Sequence, residues 1–342
     1  MGTKIIVVGS GLAGCTVAGY LADKGYKVQI LERDSVIGGM VKDEQGYQLV
    51  GMHIFHTNNK MVYDYVSRFT HIYPYEHKVI GKYGNREIPL PVSLRSLDAV
   101  YGEDHNYPYP SVGTYNNAYE YLIDRFGVAY TNIVFSGYSR KQWGLPLSKL
   151  PPGIVQRVVV REDYSTSYFR DKYQGIPING YTAMLQNMIN HKNIGIQYGV
   201  SWDMSMYSPK DTYFYSGCIG ELTGWYLPYR YVSIDTDTIH QTESIVNHLD
   251  MAIPYTRTYL SSNLPRISYY NNPIRCREYT TDAIGTKAYP MPWLIDKSYM
   301  EYISRDVPKN IIPIGRLGLY QYQNMDSVIA SSLKIAKGYD NA

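Results

Sequence analysis

The residues whose types and spacing suit them best to chemistry stand near the start of the chain. Gly9-Ser10-Gly11-Leu12-Ala13-Gly14 is a G-x-G-x-x-G, with an acid, Glu32, downstream. In such a turn the first glycine permits a tight change of direction. The second lets the backbone approach a pyrophosphate, and the third lets a helix pack closely on a strand. Leu12 and Ala13 open that helix, so the phosphates would face unpaired N–H groups and the positive end of the dipole. Glu32 would accept hydrogen bonds from a ribose. The chemistry is dinucleotide binding. His53 and His56 form a second candidate pair, but no third ligand stands at a recognisable spacing, so no metal is expected.

The flanking elements suit this reading. Ile5–Val8 is a short β-type run, an Ala/Leu-rich helix pattern continues through Leu21, Lys24-Gly25 closes it, and Val28–Leu31 leads into Glu32. This is the order of a βαβ unit. The continuation Glu32-Arg33-Asp34 and Gly38-Gly39 resembles the opening of FAD-dependent amine oxidases and desaturases, so FAD is expected rather than NAD. Asp211–Tyr215 reads as a later strand returning to the cofactor at the turn Ser216-Gly217.

Farther along, Met61–Phe69 has helix spacing and Lys78–Ile88 reads as a hairpin turned at Gly84-Asn85. Turn residues gather at Tyr107-Pro108-Tyr109-Pro110, a helix pattern covers Tyr115–Phe126, and Tyr138–Gly144 reads as an ordered loop. Val155–Val160, Tyr229–Ile234, Met251–Tyr259 and Ile311–Ile314 read as strands. Asn324–Ile335 reads as a helix with Asn324 or Asp326 as N-cap. The expected fold class is α/β: a Rossmann-like FAD-binding domain, an inserted small helical domain and an antiparallel-sheet substrate domain. The FAD-binding segments are 1–75, 182–225 and 309–342. A hairpin at 76–92, strands within 151–181 and the segment 226–308 belong to the sheet domain. Residues 93–150 form the helical insertion and carry a mobile loop.

Composition narrows the classes. The 342 residues carry a net charge of only +3, against a dedicated nucleic-acid binder. Cys15, Cys218 and Cys276 are scattered without metal spacing and fit a reducing, cytoplasmic setting. The apolar stretch Ile5–Ala22 splits into strand and helix, so no membrane insertion is expected. Tyrosine is unusually common, 38 against 6 Phe, and most of these must simply replace Phe at half-buried positions.

Six stretches together carry a specific resemblance: GMHIFHTN (51–58), GYSRKQWG (137–144), YQGIP-x-x-GYT (173–182), PYTR (254–257), TKAYPMPW (286–293) and GRL…Y-x-Y…M (315–325). The chain resembles the UDP-galactopyranose mutase family. That resemblance implies an isomerase interconverting UDP-galactopyranose and UDP-galactofuranose, with reduced FAD whose N5 bonds transiently to the sugar and no net redox change. It implies that Arg161 and Arg257 bind the diphosphate, with Tyr173, Tyr289 and Tyr322 as neutral donors and with Tyr138 and Trp143 nearer the uridine and sugar. Trp143 is expected on a loop that closes over substrate. His53 is expected beside the flavin, with Ile54. Arg316 and the helix start Asn324-Met325-Asp326-Ser327-Val328 are expected at the isoalloxazine. Asn324 stands where the family usually has an acid, and Met40, also at the cofactor, where it has Asn. Bacterial members are usually dimers, so a homodimer is admissible. A mutase for UDP-N-acetylgalactosamine or UDP-arabinose, an oxidoreductase of the amine oxidase type and a non-catalytic binder on the same fold are the alternatives.

Overall fold

The computed structural model describes residues 3–44, 47–103, 113–264 and 274–341; Tyr107–Pro110 lie outside them. The chain forms two compact units. One comprises Met1–Tyr73, Gly175–Tyr229 and Lys287–Ala342, the other Pro74–Gln174 and Arg230–Thr286.

In the first unit five short strands form a parallel sheet, in the spatial order Ile194–Gln197, Val28–Leu31, Ile5–Val8, Thr212–Tyr215 and Ile311–Pro313. Ile5–Val8 is central, and the chain proceeds to one side of it first and to the other later. The sheet therefore has a topological switch point at the carboxyl end of Ile5–Val8, where open α/β sheets bind ligands. Helix Leu12–Asp23 follows and is buried along most of its length. Its small residues allow this: a Cβ on Gly19 would come within 2.8 Å of the Met188 carbonyl oxygen on helix Gly180–Ile189. Val17, Leu21, Val62, Leu185, Phe214 and Ile329 form part of the core.

Helix Lys60–Ser67 shows a local device that this core needs. Asn59 is its N-cap, and its side-chain oxygen accepts from the N–H groups of Met61 and Val62. Asn59→Ala is expected to lower stability by about 1 kcal/mol, read as a shift of the urea midpoint at constant slope.

The second unit holds a sheet that pairs Tyr229–Asp237, Arg275–Thr281, Arg257–Leu260, Ile245–His248, Val79–Tyr83 and Arg86–Leu90 in that order. All these pairings are antiparallel except Ile245–His248 with Val79–Tyr83, which is parallel. Its helical part contains Leu94–Tyr101, Ala118–Tyr130, a wider π-helical turn over Thr131–Ser136 and Gly137–Trp143. Positive φ at Gly127 kinks the second of these. Phe126, Tyr130 and Phe135 pack together in its core.

Three local expectations are corrected. Tyr138–Gly144 is not a loop but the helix Gly137–Trp143 and its left-handed stop at Gly144. Val155–Val160 is not a strand: Pro151-Pro152 precede a short helix, Gly153–Gln156, and Val160 makes only one bridge, to Val92. Pro is well suited to a helix start, which outweighs the β-branched run. Met251–Tyr259 forms a strand only from Arg257 onward, because Asp250 and its neighbours make a turn held by Asp250 accepting the Ala252 N–H.

Candidate active site

In the first unit four stretches far apart in sequence converge on the glycine turn. Gly9 has φ +91°, which only glycine adopts without strain, and its N–H donates to the Leu31 carbonyl at 2.8 Å. Ser216 packs against Gly9 and donates its hydroxyl to the Val8 carbonyl at 2.7 Å; Gly217 follows it. Gly38 bridges to Gly11, and its N–H donates to Ser10 at 3.1 Å. A Cβ on Gly39 would lie 3.2 Å from the Gly11 Cα. Gly315, next to Arg316, lies against Ala13.

The turn fits a pyrophosphate. A Cβ on Gly14 would overlap the Gly9 carbonyl oxygen, so the close approach of helix to strand demands glycine. At Gly11 the nearest protein atom to such a Cβ is 3.8 Å away, and φ is an ordinary −74°. The protein itself does not require glycine there; a closely approaching phosphate group would. No side chain caps the N-terminus of the helix that begins at Leu12.

Glu32 is buried, and its carboxylate is organised by the turn. Ser10 donates its N–H (2.7 Å) and hydroxyl (2.5 Å) to one oxygen, and the Asp34 N–H donates to the other at 2.9 Å. Arg33 points outward and pairs with Asp34 at 3.8 Å. Met40 lies in the short turn Gly39–Val41 after the second glycine pair.

His53 is half-buried and held at several points. Its Nδ1 lies 2.8 Å from the Gly51 carbonyl, which can only accept, so Nδ1 carries the proton and Nε2 is the acceptor of the neutral ring. Its own carbonyl accepts from the buried Tyr181 hydroxyl at 3.1 Å, and its N–H donates to Gln48. Ile54 beside it is buried.

Arg316 is spent mainly on the chain. It donates to the Gln323 carbonyl through two nitrogens and to the Ala288 carbonyl at 3.1 Å. Its guanidinium lies 5.6 Å from the Tyr289 ring and 5.2 Å from the Tyr322 ring, which meet edge to face. Asn324 occupies the N-cap position of helix Met325–Asp340, but its side chain does not cap. Asp326, in the first turn, accepts from Thr57 at 3.1 Å and from the Ser327 N–H at 2.7 Å. Val328 is buried behind them.

In the second unit Arg257 and Tyr138 meet: the guanidinium donates to the Tyr138 hydroxyl at 2.9 Å. Arg257 also pairs at 3.1 Å with Glu278, which is 1% exposed. Burial raises the Glu278 pKa above the usual carboxylate range, and Arg257 opposes that shift. Arg161 is held separately, by Asp163 through two nitrogens and by the Ser167 carbonyl at 3.2 Å. Tyr173 opens the strand Tyr173–Pro177, with the Lys172 ammonium 5.3 Å from its ring.

Trp143 departs from expectation. It is buried on a helix that is pinned rather than on a loop. Arg230 fixes the helix end by donating to the carbonyls of Lys141 and Gln142 and pairing with Asp282. Sequence reasoning missed Arg230, Lys141 and Glu278. Lys141 lay inside a quoted motif, but nothing local marked it as buried.

Among the described residues no group of three or more His, Cys, Asp or Glu side chains is arranged to hold a metal ion, and no helix is long and apolar enough to cross a membrane.

Comparison with known proteins decides the family. The sequence pattern of UDP-galactopyranose mutase matches residues 133–322, more than half of the chain, and that of an NAD(P)-binding Rossmann-like domain matches residues 7–69. A probable UDP-galactopyranose mutase of Klebsiella pneumoniae is 30% identical over 97% of this chain and 94% of its own. The chain belongs to the UDP-galactopyranose mutase family.

A second member-like relative, the dTDP-fucopyranose mutase of Escherichia coli, is 27% identical over 98% of both chains. The crystal structure of a reduced UDP-galactopyranose mutase superposes with a TM-score of 0.74 over 98% of this chain and 95% of its own, at 15% identity, and so shares the fold. The mutases of the family are isomerases that interconvert pyranose and furanose sugars. The glycine turn and the first strands of the parallel sheet lie within the segment that matches the NAD(P)-binding Rossmann-like domain.

Proposed function

We propose that the protein interconverts UDP-galactopyranose and UDP-galactofuranose, with reduced FAD as cofactor and no net oxidation. The observation that carries this reading is the Arg257–Tyr138 hydrogen bond. It joins two of the family's motifs, GYSRKQWG and PYTR, and an always-charged planar donor held in this way is suited to gripping a phosphate.

Gly9 to Gly14 would hold the FAD pyrophosphate, and Glu32 would take the ribose in place of part of its Ser10 contacts. Bound reduced flavin supplies the nucleophile for the sugar's anomeric carbon. The chain's own part is electrostatic. UDP gains negative charge as it departs, and Arg161 and Arg257, fixed beforehand by Asp163 and by Glu278 with Tyr138, stabilise that charge without reorganising. His53 belongs to the same unit as the glycine turn, and its Nδ1 proton on the Gly51 carbonyl leaves Nε2 as the acceptor nitrogen of the neutral ring.

The same arrangement suits a dTDP-sugar, and the full-length match to the fucopyranose mutase favours that as the second reading. The test is to reduce the purified protein with dithionite and incubate it with UDP-galactofuranose and, separately, dTDP-fucopyranose, resolving ring isomers by chromatography. Turnover of the UDP-sugar only after reduction is the expected result. Turnover of neither sugar, or oxygen consumption without prior reduction, overturns the mutase reading.

A further inference from the structure

The geometry points to Lys141 as the positioning residue of the diphosphate clamp: a buried ammonium that holds the backbone leading into Arg257 against the helix that carries Tyr138. The inference rests on the reading that Arg257, held by Tyr138, receives the substrate diphosphate.

Lys141 is only 8% exposed, yet among the described residues no carboxylate forms an ion pair with its ammonium. Its Nζ instead lies within hydrogen-bond distance of four backbone carbonyls, which share its three N–H groups: His248 and Asp250 at 2.8 Å, Ile253 at 2.9 Å and Tyr255 at 3.1 Å. All four belong to the turn that ends two residues before Arg257. Carbonyl oxygens aimed at one point repel one another unless a cation sits there. The ammonium therefore helps hold residues 248–255 in this shape, together with the Asp250–Ala252 bond inside the turn.

The other end of the device is the helix Gly137–Trp143. Tyr138 and Lys141 are three residues apart and share its face. Tyr138 meets Arg257 while Lys141 meets the turn before it. The two backbones are in close contact, because a Cβ on Gly137 would overlap the Leu249 carbonyl oxygen. Lys141 thus fixes the distance between the two partners of the clamp without touching either.

The charged and titratable groups around Nζ are few. Asp250 supports the ammonium form and burial opposes it, and burial is the larger effect, bringing the Lys141 pKa down to about 8. His248 is neutral at pH 7, held down to about 4 by burial and by the cations Lys141, Arg275 and Lys82. Its Nε2 lies 3.1 Å from the Thr258 hydroxyl, and Tyr255 packs edge-on against its ring. Arg230 donates to the Lys141 carbonyl, and Asp282 pairs with Arg230. A neutral amine offers two N–H groups and a lone pair to four carbonyls, so the arch loosens as the pH rises through the Lys141 pKa.

The experiment is calorimetric titration of the holoprotein with UDP, on wild type, Lys141→Met, Lys141→Arg and Asp250→Asn, between pH 6.5 and 9, with flavin content measured in each. Wild type is expected to bind UDP at pH 7, and Lys141→Met to bind it at least ~10-fold more weakly at unchanged flavin content. Wild-type affinity is expected to fall as pH rises through about 8. Lys141→Arg should keep its affinity across that range, which also controls for titration of UDP itself. Asp250→Asn, a mild change that preserves the turn acceptor, should move the midpoint to lower pH. Equal affinity in wild type and Lys141→Met overturns the proposal. Should Lys141→Met fail to fold, a pH profile identical in wild type and Asp250→Asn overturns it. A wild type that does not bind UDP at all overturns the functional reading and this inference with it, whereas UDP binding that ignores Lys141 overturns the inference alone.

Discussion

Arg257→Met is expected to lower kcat by roughly 10²–10³-fold, the cost of removing a preorganised charge from a departing anion. A confounding effect accompanies it. Glu278 is almost fully buried and Arg257 is its ion-pair partner, so the single variant leaves a buried carboxyl without its cation. Breaking a buried pair in this way costs roughly 3–5 kcal/mol, less where the orphaned group can take a proton. Burial raises the Glu278 pKa and Arg257 opposes that shift, so removing Arg257 makes a proton easier to take up. The double variant Arg257→Met/Glu278→Gln separates the two effects. Its melting temperature should return toward wild type while kcat stays low. Recovery of activity along with stability would mean that Arg257 serves only the fold. Arg257→Lys is the complementary change: it keeps the charge but loses the planar fork that reaches Tyr138 and Glu278 together, and most of the loss should remain.

Gly14→Ala is expected to yield protein without bound FAD and to cost ~3 kcal/mol or more of stability. The added Cβ would overlap the Gly9 carbonyl oxygen and stand 3.1 Å from the Val7 side chain. Both neighbours are fixed, the first as backbone and the second inside the parallel sheet, so the helix itself would have to move away from the strand. That motion removes the N–H groups from the pyrophosphate. Gly338→Ala is the control. It lies in helix Met325–Asp340 with nothing within 4 Å of the new Cβ. It should raise stability by ~0.5–1 kcal/mol and leave flavin binding alone. Flavin absorbance per chain and thermal unfolding read both variants. Full flavin content in Gly14→Ala would show that the turn is not the cofactor site.

Where the chain's demands are local, they could be read from the residues. Gly9 to Gly14 and the strands on either side follow from short-range rules: a positive φ, a helix start without a side-chain cap, β-branched runs. The later strand at Thr212–Tyr215 and its Ser216 turn were legible for the same reason. The helix Gly137–Trp143 was not, because its seven residues carry no capping signal and owe their conformation to partners elsewhere. Val155–Val160 misled because a run of valines outweighed the two prolines before it in the reading, though not in the chain.

The sequence alone thus determined the glycine turn, the acid after it and the βαβ unit that carries both, together with the family, through motifs that survive as short words. Tertiary structure alone decided which charges those words contain in working order. It set Glu278 behind Arg257 and Tyr138 in front of it, and it placed the Lys141 ammonium among carbonyls 107 to 114 positions away in the chain. The reason is physical. Backbone geometry is settled within a few residues, whereas a buried charge must find its compensation wherever the fold brings polar groups together, and sequence distance carries no trace of that meeting.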